Sequence, residues 1–205
     1  KIKKKNNLNF FCDYIFCANN EIIKKYRTII KSNFIKIGSF KNNIFKIKRN
    51  KKSKYILFLS QYNSPKKNKY EVFFKKGNYS ISHNDFYKDD IEVIKKLIIF
   101  CKKEKKELKI KLRNPNPKTE VAFYKKELQN KKINFISSTD LKRNYQMLDE
   151  ANVVVFLDSF FGYEAFARGS KIAAFSVRGK KLKMQNANFA DNRLPQKGFF
   201  WSNEC

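Results

Sequence analysis

Residues 151–169 read ANVVVFLDSFFGYEAFARG, and the order of residue types in that stretch decides the fold. The apolar run Val153 to Leu157 has the length and β-branched content of a buried strand. Asp158-Ser159 and a short turn carrying Gly162 follow it, and the helix-like segment Tyr163 to Arg168 stops at Gly169. A strand, a loop at its carboxyl end and a helix whose N-terminus faces that loop make one half of a β-α-β unit. Ligands of open α/β sheets bind at this place, because free N–H groups and the helix dipole attract anions such as phosphate.

The same alternation extends upstream. Tyr55 to Ser60 (YILFLS) reads as a strand, and its exit loop, Gln61 to Lys69, holds the turn signal Asn63-Ser64-Pro65. Asp89 to Lys105 reads as an amphipathic helix, with Ile91, Ile94, Leu97, Ile98 and Cys101 at three- and four-residue spacing. The strand Leu108 to Leu112 follows, and Asn114-Pro115-Asn116-Pro117 forces a non-helical loop. Thr119 stands as N-cap of a helix to Leu128. Ile133 to Ile136 is a short strand, and Asp140 to Glu150 a helix with Leu141, Tyr145 and Leu148 inward. Downstream, Lys171 to Val177 (KIAAFSV) is a strand, and the pattern then gives way to a polar tail with Pro195 and Phe199-Phe200-Trp201. Short strands alternating with helices of about ten residues or more predict a parallel sheet with right-handed crossovers.

Before Tyr55 the reading is a strand over 10–18, a helix from Glu21 to Ile30 and a strand from Phe34 to Ile37. Lys41 to Lys54, basic and rich in Asn, reads as an interdomain linker. The expected organisation is the end of one α/β domain in residues 1–48 and a second α/β domain in 49–205. Lys rather than Met at position 1, and an ending directly after an aromatic cluster, read as truncation at both ends.

The formal charge of +28 raises a nucleic-acid partner. Lys, however, outnumbers Arg 39 to 7, and readers of phosphates and bases favour the planar fork of Arg. The lysines spread over most helices and loops and thin out after Arg143, which fits compositional drift better than a binding footprint. Attraction to an anionic membrane surface stays open. No run approaches the roughly 20 apolar residues that span a bilayer, and no signal-peptide pattern stands at the start. Cys12, Cys17, Cys101 and Cys205 match no zinc spacing, and His83 is the one His, so buried free thiols in a reducing cytosol are expected and no metal site is.

Each notable residue of the opening stretch has two readings. Ser159 either caps the helix, contributing about 1 kcal/mol, or holds a phosphate. Gly162 admits a close ligand or serves the turn. Glu164, read as lying in the first helical turn, either complements the dipole, by roughly 0.3–1 kcal/mol, or accepts hydrogen bonds from paired hydroxyls such as those of a ribose. Gly169 fits a C-cap. His83, in YSISHNDF before a helix, is a weak candidate general base and reads better as a surface or capping residue. Arg178 and Arg193 either neutralise a diphosphate or are solvated, and Trp201 closes a core more readily than it stacks on a ligand.

The run DSFFGYEAFARGSKIAAFS (158–176) resembles the donor-side motif of GT-B-type glycosyltransferases, most closely the bacterial surface-carbohydrate (capsule and lipopolysaccharide) biosynthesis proteins. FIKIGSFKNN (34–43) is similar to the stretch that ends the N-terminal domain of such proteins, and YILFLSQY (55–62) to the first strand and loop of their C-terminal domain. The resemblance implies a Rossmann-like, nucleotide-sugar-binding C-terminal domain and a sugar-nucleotide-dependent transferase acting in surface polysaccharide assembly. It places Glu164 on the donor ribose and Ser159, Phe160, Phe161 and Gly162 along the phosphates, with the loop around Gln61 and Tyr62 facing the cleft. Many relatives carry His-Pro where Arg113-Asn114-Pro115 stands here, so Arg113 could meet a phosphate while any role of that His is lost. Arg178 would face the leaving diphosphate, no Asp-x-Asp metal motif is present, and no cofactor is needed beyond the nucleotide-sugar substrate. A glycan or lipid-linked acceptor, a cytoplasmic location at the inner membrane face, and no activity from this half alone are implied with it. The alternatives are a UDP-sugar 2-epimerase relative, a basic nucleic-acid-binding module and a non-catalytic assembly protein.

Overall fold

A β-α-β turn opens the chain: β1 (Phe10–Cys17), α1 (Asn20–Arg27) and β2 (Ile30–Lys36), with the two strands parallel. α1 begins at Asn19, whose side chain accepts the Ile22 N–H at 2.9 Å, and its last turn carries Lys24, Lys25 and Arg27 against the helix dipole. The expected linker from Lys41 holds a short helix instead, α2 (Phe40–Ile44), because Ser39 caps it through the Asn42 N–H at 3.3 Å. These elements belong to the first of two compact units, residues 1–46; the second comprises 47–205. In this computed structural model the described residues are 10–17, 19–48, 53, 55–66, 71–76, 79–114, 116–129, 132–157, 159–175 and 201–202.

The second unit contains β3 (Tyr55–Leu59), β4 (Val72–Lys76), β5 (Tyr79–Ser82), α3 (His83–Lys103), β6 (Glu107–Lys111), α4 (Lys118–Glu127), β7 (Asn134–Ile136), α5 (Leu141–Glu150), β8 (Val153–Phe156), α6 (Phe160–Ala167), β9 (Ile172–Phe175) and β10 (Trp201–Ser202). Its main sheet is parallel in the order β10-β9-β8-β3-β6-β7. β3 is central because it can be buried on both faces: Ile56, Leu57, Phe58 and Leu59 are each 2% exposed or less. The period of two sorts its side chains. Ile56 and Phe58 join Leu108, Ile110 and Val155 in a core with Tyr87, Ile91, Ile94 and Cys101 of α3 and Tyr124 of α4. Phe156, of opposite parity to Val155, lies against α6, so α3 and α4 cover one face and α6 the other. After β7 the chain crosses back to the far side of β3, and the strand order therefore reverses between β3 and β8.

Several local expectations change. α3 starts at His83, six residues before Asp89, because Ser82 and Asp85 form a reciprocal cap: Ser82 Oγ accepts the Asp85 N–H at 3.1 Å and donates to Asp85 Oδ2 at 2.7 Å. The antiparallel hairpin β4–β5 was not anticipated, although Gly77-Asn78 between its strands is a hairpin-turn dipeptide. Thr119 is not the N-cap of α4; Pro117 occupies that position without a side-chain bond. Leu141, expected inward, is 48% exposed, and Asp140 caps α5 through the Lys142 N–H. Cys17 and Cys101 are buried thiols, whereas Cys12 is exposed.

Candidate functional site

In a parallel sheet all strands end at one edge, and where the strand order reverses the loops diverge and leave a crevice. β3 and β8 flank that point. The loop leaving β3 is held by one buried carboxylate. Glu120, in the first turn of α4 and fully buried, accepts from the Ser60 hydroxyl, from the Arg113 N–H at 3.1 Å, and from the Asn114 N–H and Nδ2 at 3.1 and 3.0 Å. Ser60 in turn takes the Tyr62 N–H at 3.1 Å and pairs with the Tyr124 hydroxyl at 2.8 Å. Asn114 Nδ2 also donates to the Tyr62 carbonyl at 3.2 Å, and Arg113 Nη1 to the Gln61 carbonyl at 3.1 Å. From α3, Tyr87 donates to the Gln61 carbonyl and accepts the Asn63 N–H, and His83 Nε2 donates to the Asn63 carbonyl at 2.7 Å. The loops after β3 and β6 are thus built as one rigid piece. Burial lowers the Lys111 ammonium below the usual lysine range, against the opposing pull of Glu120.

At β8 the helix begins almost at once. Ser159 sits at the N-cap of α6 in extended conformation, but its hydroxyl makes no cap bond, and the helix starts at Phe160, earlier than the expected segment from Tyr163. Gly162 is inside the helix, and a Cβ there would fall on the ring of Phe156. Its bare Cα lets α6 lie against β8. Glu164 is consequently in the second turn, not the first, and its Oε2 accepts the Tyr145 hydroxyl of α5 at 2.8 Å. Burial, and then the bond to and charge of Glu164, push the Tyr145 phenol above its ordinary value of 10.0, so it stays a donor. Arg168 closes the helix and is buried: Nε and Nη2 reach Asp149 Oδ1 and Oδ2 at 2.8 and 2.6 Å, and its guanidinium lies 5.2 Å from the Tyr145 ring centre. Gly169 has φ +76°, with the Ser170 N–H on the Ala165 carbonyl and the Gly169 N–H on that of Phe166. That is a Schellman ending, in the place the sequence suggested for a C-cap.

The sequence model of a family described as "putative O-antigen biosynthesis protein" matches residues 2–205. The chain belongs to this family. The description concerns surface-carbohydrate assembly, the same province as the resemblance read from residues 158–176. No curated protein matches the chain.

In this member of the O-antigen biosynthesis family, the topology brings Gln61, Tyr62 and Arg113 on one side, and Ser159, Phe160, Phe161, Gly162 and Glu164 on the other, to the edge where β3 and β8 end. Not all face outward. Within the loop expected to face the cleft, the Tyr62 ring is 4% exposed and stacks on Phe123 at 4.5 Å, so its side chain belongs to the core. Gly162 is covered by Phe156. Phe160 is 72% exposed at the mouth of α6, while Phe161 packs edge-on against Tyr145 at 5.4 Å. His83 is no surface residue: it is 1% exposed, boxed by Tyr62, Phe73 and Tyr87, and spends Nε2 on Asn63. So enclosed, the ring positions the loop through its bond to Asn63. Arg178, Arg193 and Asp158 lie outside the described residues. Among the described residues no group of three or more His, Cys, Asp or Glu is arranged to hold a metal ion, and no helix is long and apolar enough to cross a membrane. Glu120, Asn114, Tyr145 and Asp149 received no site role from the sequence. The sole cue to Glu120 was its place one turn after Asn114-Pro115-Asn116-Pro117, where an acidic residue ordinarily signals no more than a helix start.

Proposed function

We propose that the second unit is the donor-binding half of a GT-B-type, sugar-nucleotide-dependent glycosyltransferase serving surface polysaccharide assembly. One observation carries this reading: the segment resembling the donor motif leaves β8 at the point where the parallel strand order reverses, beside the braced loop of β3. The order, taken from β7 to β10, is that of a doubly wound nucleotide-binding sheet. In this reading the first N–H groups of α6 and the helix dipole meet the diphosphate, Phe160 flanks it, and Arg113 supplies charge to the departing nucleotide. Glu164, oriented by Tyr145, accepts the ribose hydroxyls. The acceptor is a glycan or a lipid-linked saccharide, and no cofactor beyond the donor enters.

The test is calorimetric titration of the full chain with UDP, GDP, CDP and CMP, wild type against Glu164→Ala, with circular dichroism confirming the fold. One nucleotide should bind, and Glu164→Ala should weaken it by about tenfold or more, the worth of one or two hydrogen bonds to a charged group. If all four leave the protein unchanged, or the variant binds as well as wild type, the donor-site reading is wrong.

A further inference from the structure

Helices that follow strands in a parallel sheet run back antiparallel to them, so the last turns of α3 lie at the opposite edge from the crevice, beside the amino ends of β6 and β7. Ile91, Ile94, Ile98 and Cys101 of α3 face the sheet. The outward arc of the same turns carries Lys95, Lys96, Ile99, Phe100, Lys102 and Lys103. Ile99 is 68% and Phe100 47% exposed. A groove beside the arc is lined by Ile98, Ile99, Lys102, Lys103 and Lys132, and it continues past Lys106 and Ile133. Of the neighbouring carboxylates, Glu92 is engaged by Lys95 at 2.9 Å and Glu107 by Lys109 at 3.3 Å, and Glu104, the C-cap of α3, is a single charge among these lysines. Lys102, Lys103, Lys106 and Lys132 form no ion pair among the described residues. Two lysines in a last helical turn suit the helix dipole, but nothing in helix formation calls for two large exposed apolar side chains between them.

We infer that this arc docks the protein on an anionic lipid bilayer. Lysines flanking exposed apolar side chains match the boundary between headgroups and acyl chains: Ile99 and Phe100 enter it, while the long lysine stems lie along it and place their ammonium groups at lipid phosphates. Nucleic acid fits less well, because the arc has no Arg and its apolar centre offers nothing to a phosphate backbone. A second copy fits less well again, since the arc would set lysine against lysine. Docked this way, the crevice at the other edge of the sheet stays open to soluble ligands.

The experiment is co-sedimentation of the full chain with phosphatidylcholine vesicles, with and without about one third phosphatidylglycerol, at about 0.15 M salt. Binding should require the anionic lipid. Ile99→Ser with Phe100→Ser, and separately Lys102→Glu with Lys103→Glu, should each weaken partitioning by about tenfold or more. Lys125→Glu with Lys126→Glu, the same charge change on the exposed face of α4, should shift it by less than about threefold. The proposal falls if no vesicle binds, if the serine pair binds like wild type, or if the α4 pair loses as much as the α3 pair. It falls too if short duplex DNA displaces the protein from vesicles while both α3 variants keep their DNA affinity.

Discussion

Arg168 shows how little of a residue's role is legible when only its neighbours in sequence are known. It stands four residues after Glu164 in the run that resembles a donor motif, where the sequence gives it no role beyond ending a helix. It is buried and bidentate on Asp149, nineteen residues upstream, and fastens α6 to α5. Removing one partner of a buried pair leaves the other charge without compensation, at about 3–5 kcal/mol. Arg168→Met should therefore lower the stability of the protein by that amount in urea unfolding, and Asp149→Leu added to it should restore most of the loss. Should Arg168→Met leave the midpoint unchanged and weaken nucleotide binding instead, the residue is a ligand group. The same blindness to partners hid Tyr145 and Glu120. Glu164 was legible as a notable carboxylate because it lies close to the end of a buried strand, but nothing in the sequence links it to a tyrosine nineteen residues away.

Among elements, the strands and the long helices were legible and their beginnings were less so. β3, β8 and α3 declare themselves through period and apolarity, whereas the start of α3 depends on Ser82 pairing with Asp85, a bond two side chains make outside the periodic pattern. α6 gives the sharpest case, because its first residue, Phe160, lies three residues before Tyr163, where the helix-like pattern begins. A glycine inside a helix costs about 1 kcal/mol relative to Ala, so replacing it would ordinarily stabilise. Here the added methyl meets the Phe156 ring, and overpacking of this kind costs about 1–3 kcal/mol. Overpacking should win: Gly162→Ala should destabilise in urea, and combining it with Phe156→Leu should show a coupling of about 1 kcal/mol or more between the two sites. Additive effects, or a stabilised Gly162→Ala protein, would show that α6 does not need its close approach to β8.

For the molecule as a whole, the parallel sheet followed from alternating strands and helices, while the strand order did not. It is set by which edge each crossover chooses, and no local pattern records that choice. Net charge is a whole-molecule property that was legible at once, and it has a physical consequence apart from any partner. Of 18 carboxylate residues against 46 cationic ones, Asp90, Glu120 and Asp149 are buried, so the surface is more lopsided than the composition. The ion pairs of Lys24, Lys95, Lys109 and Arg143 are all at least partly exposed at one partner and contribute at most about 1 kcal/mol each. The pair that matters most, Arg168 with Asp149, is buried and hardly screened. Added salt then acts chiefly on repulsion among lysines, which opposes the compact state. The urea midpoint should rise as sodium chloride goes from about 0.02 to 0.3 M. Urea is the denaturant to use, since guanidinium would itself supply the salt. A flat or falling midpoint would mean that the exposed pairs outweigh the repulsion, and that the lysines are already spaced widely enough to ignore one another.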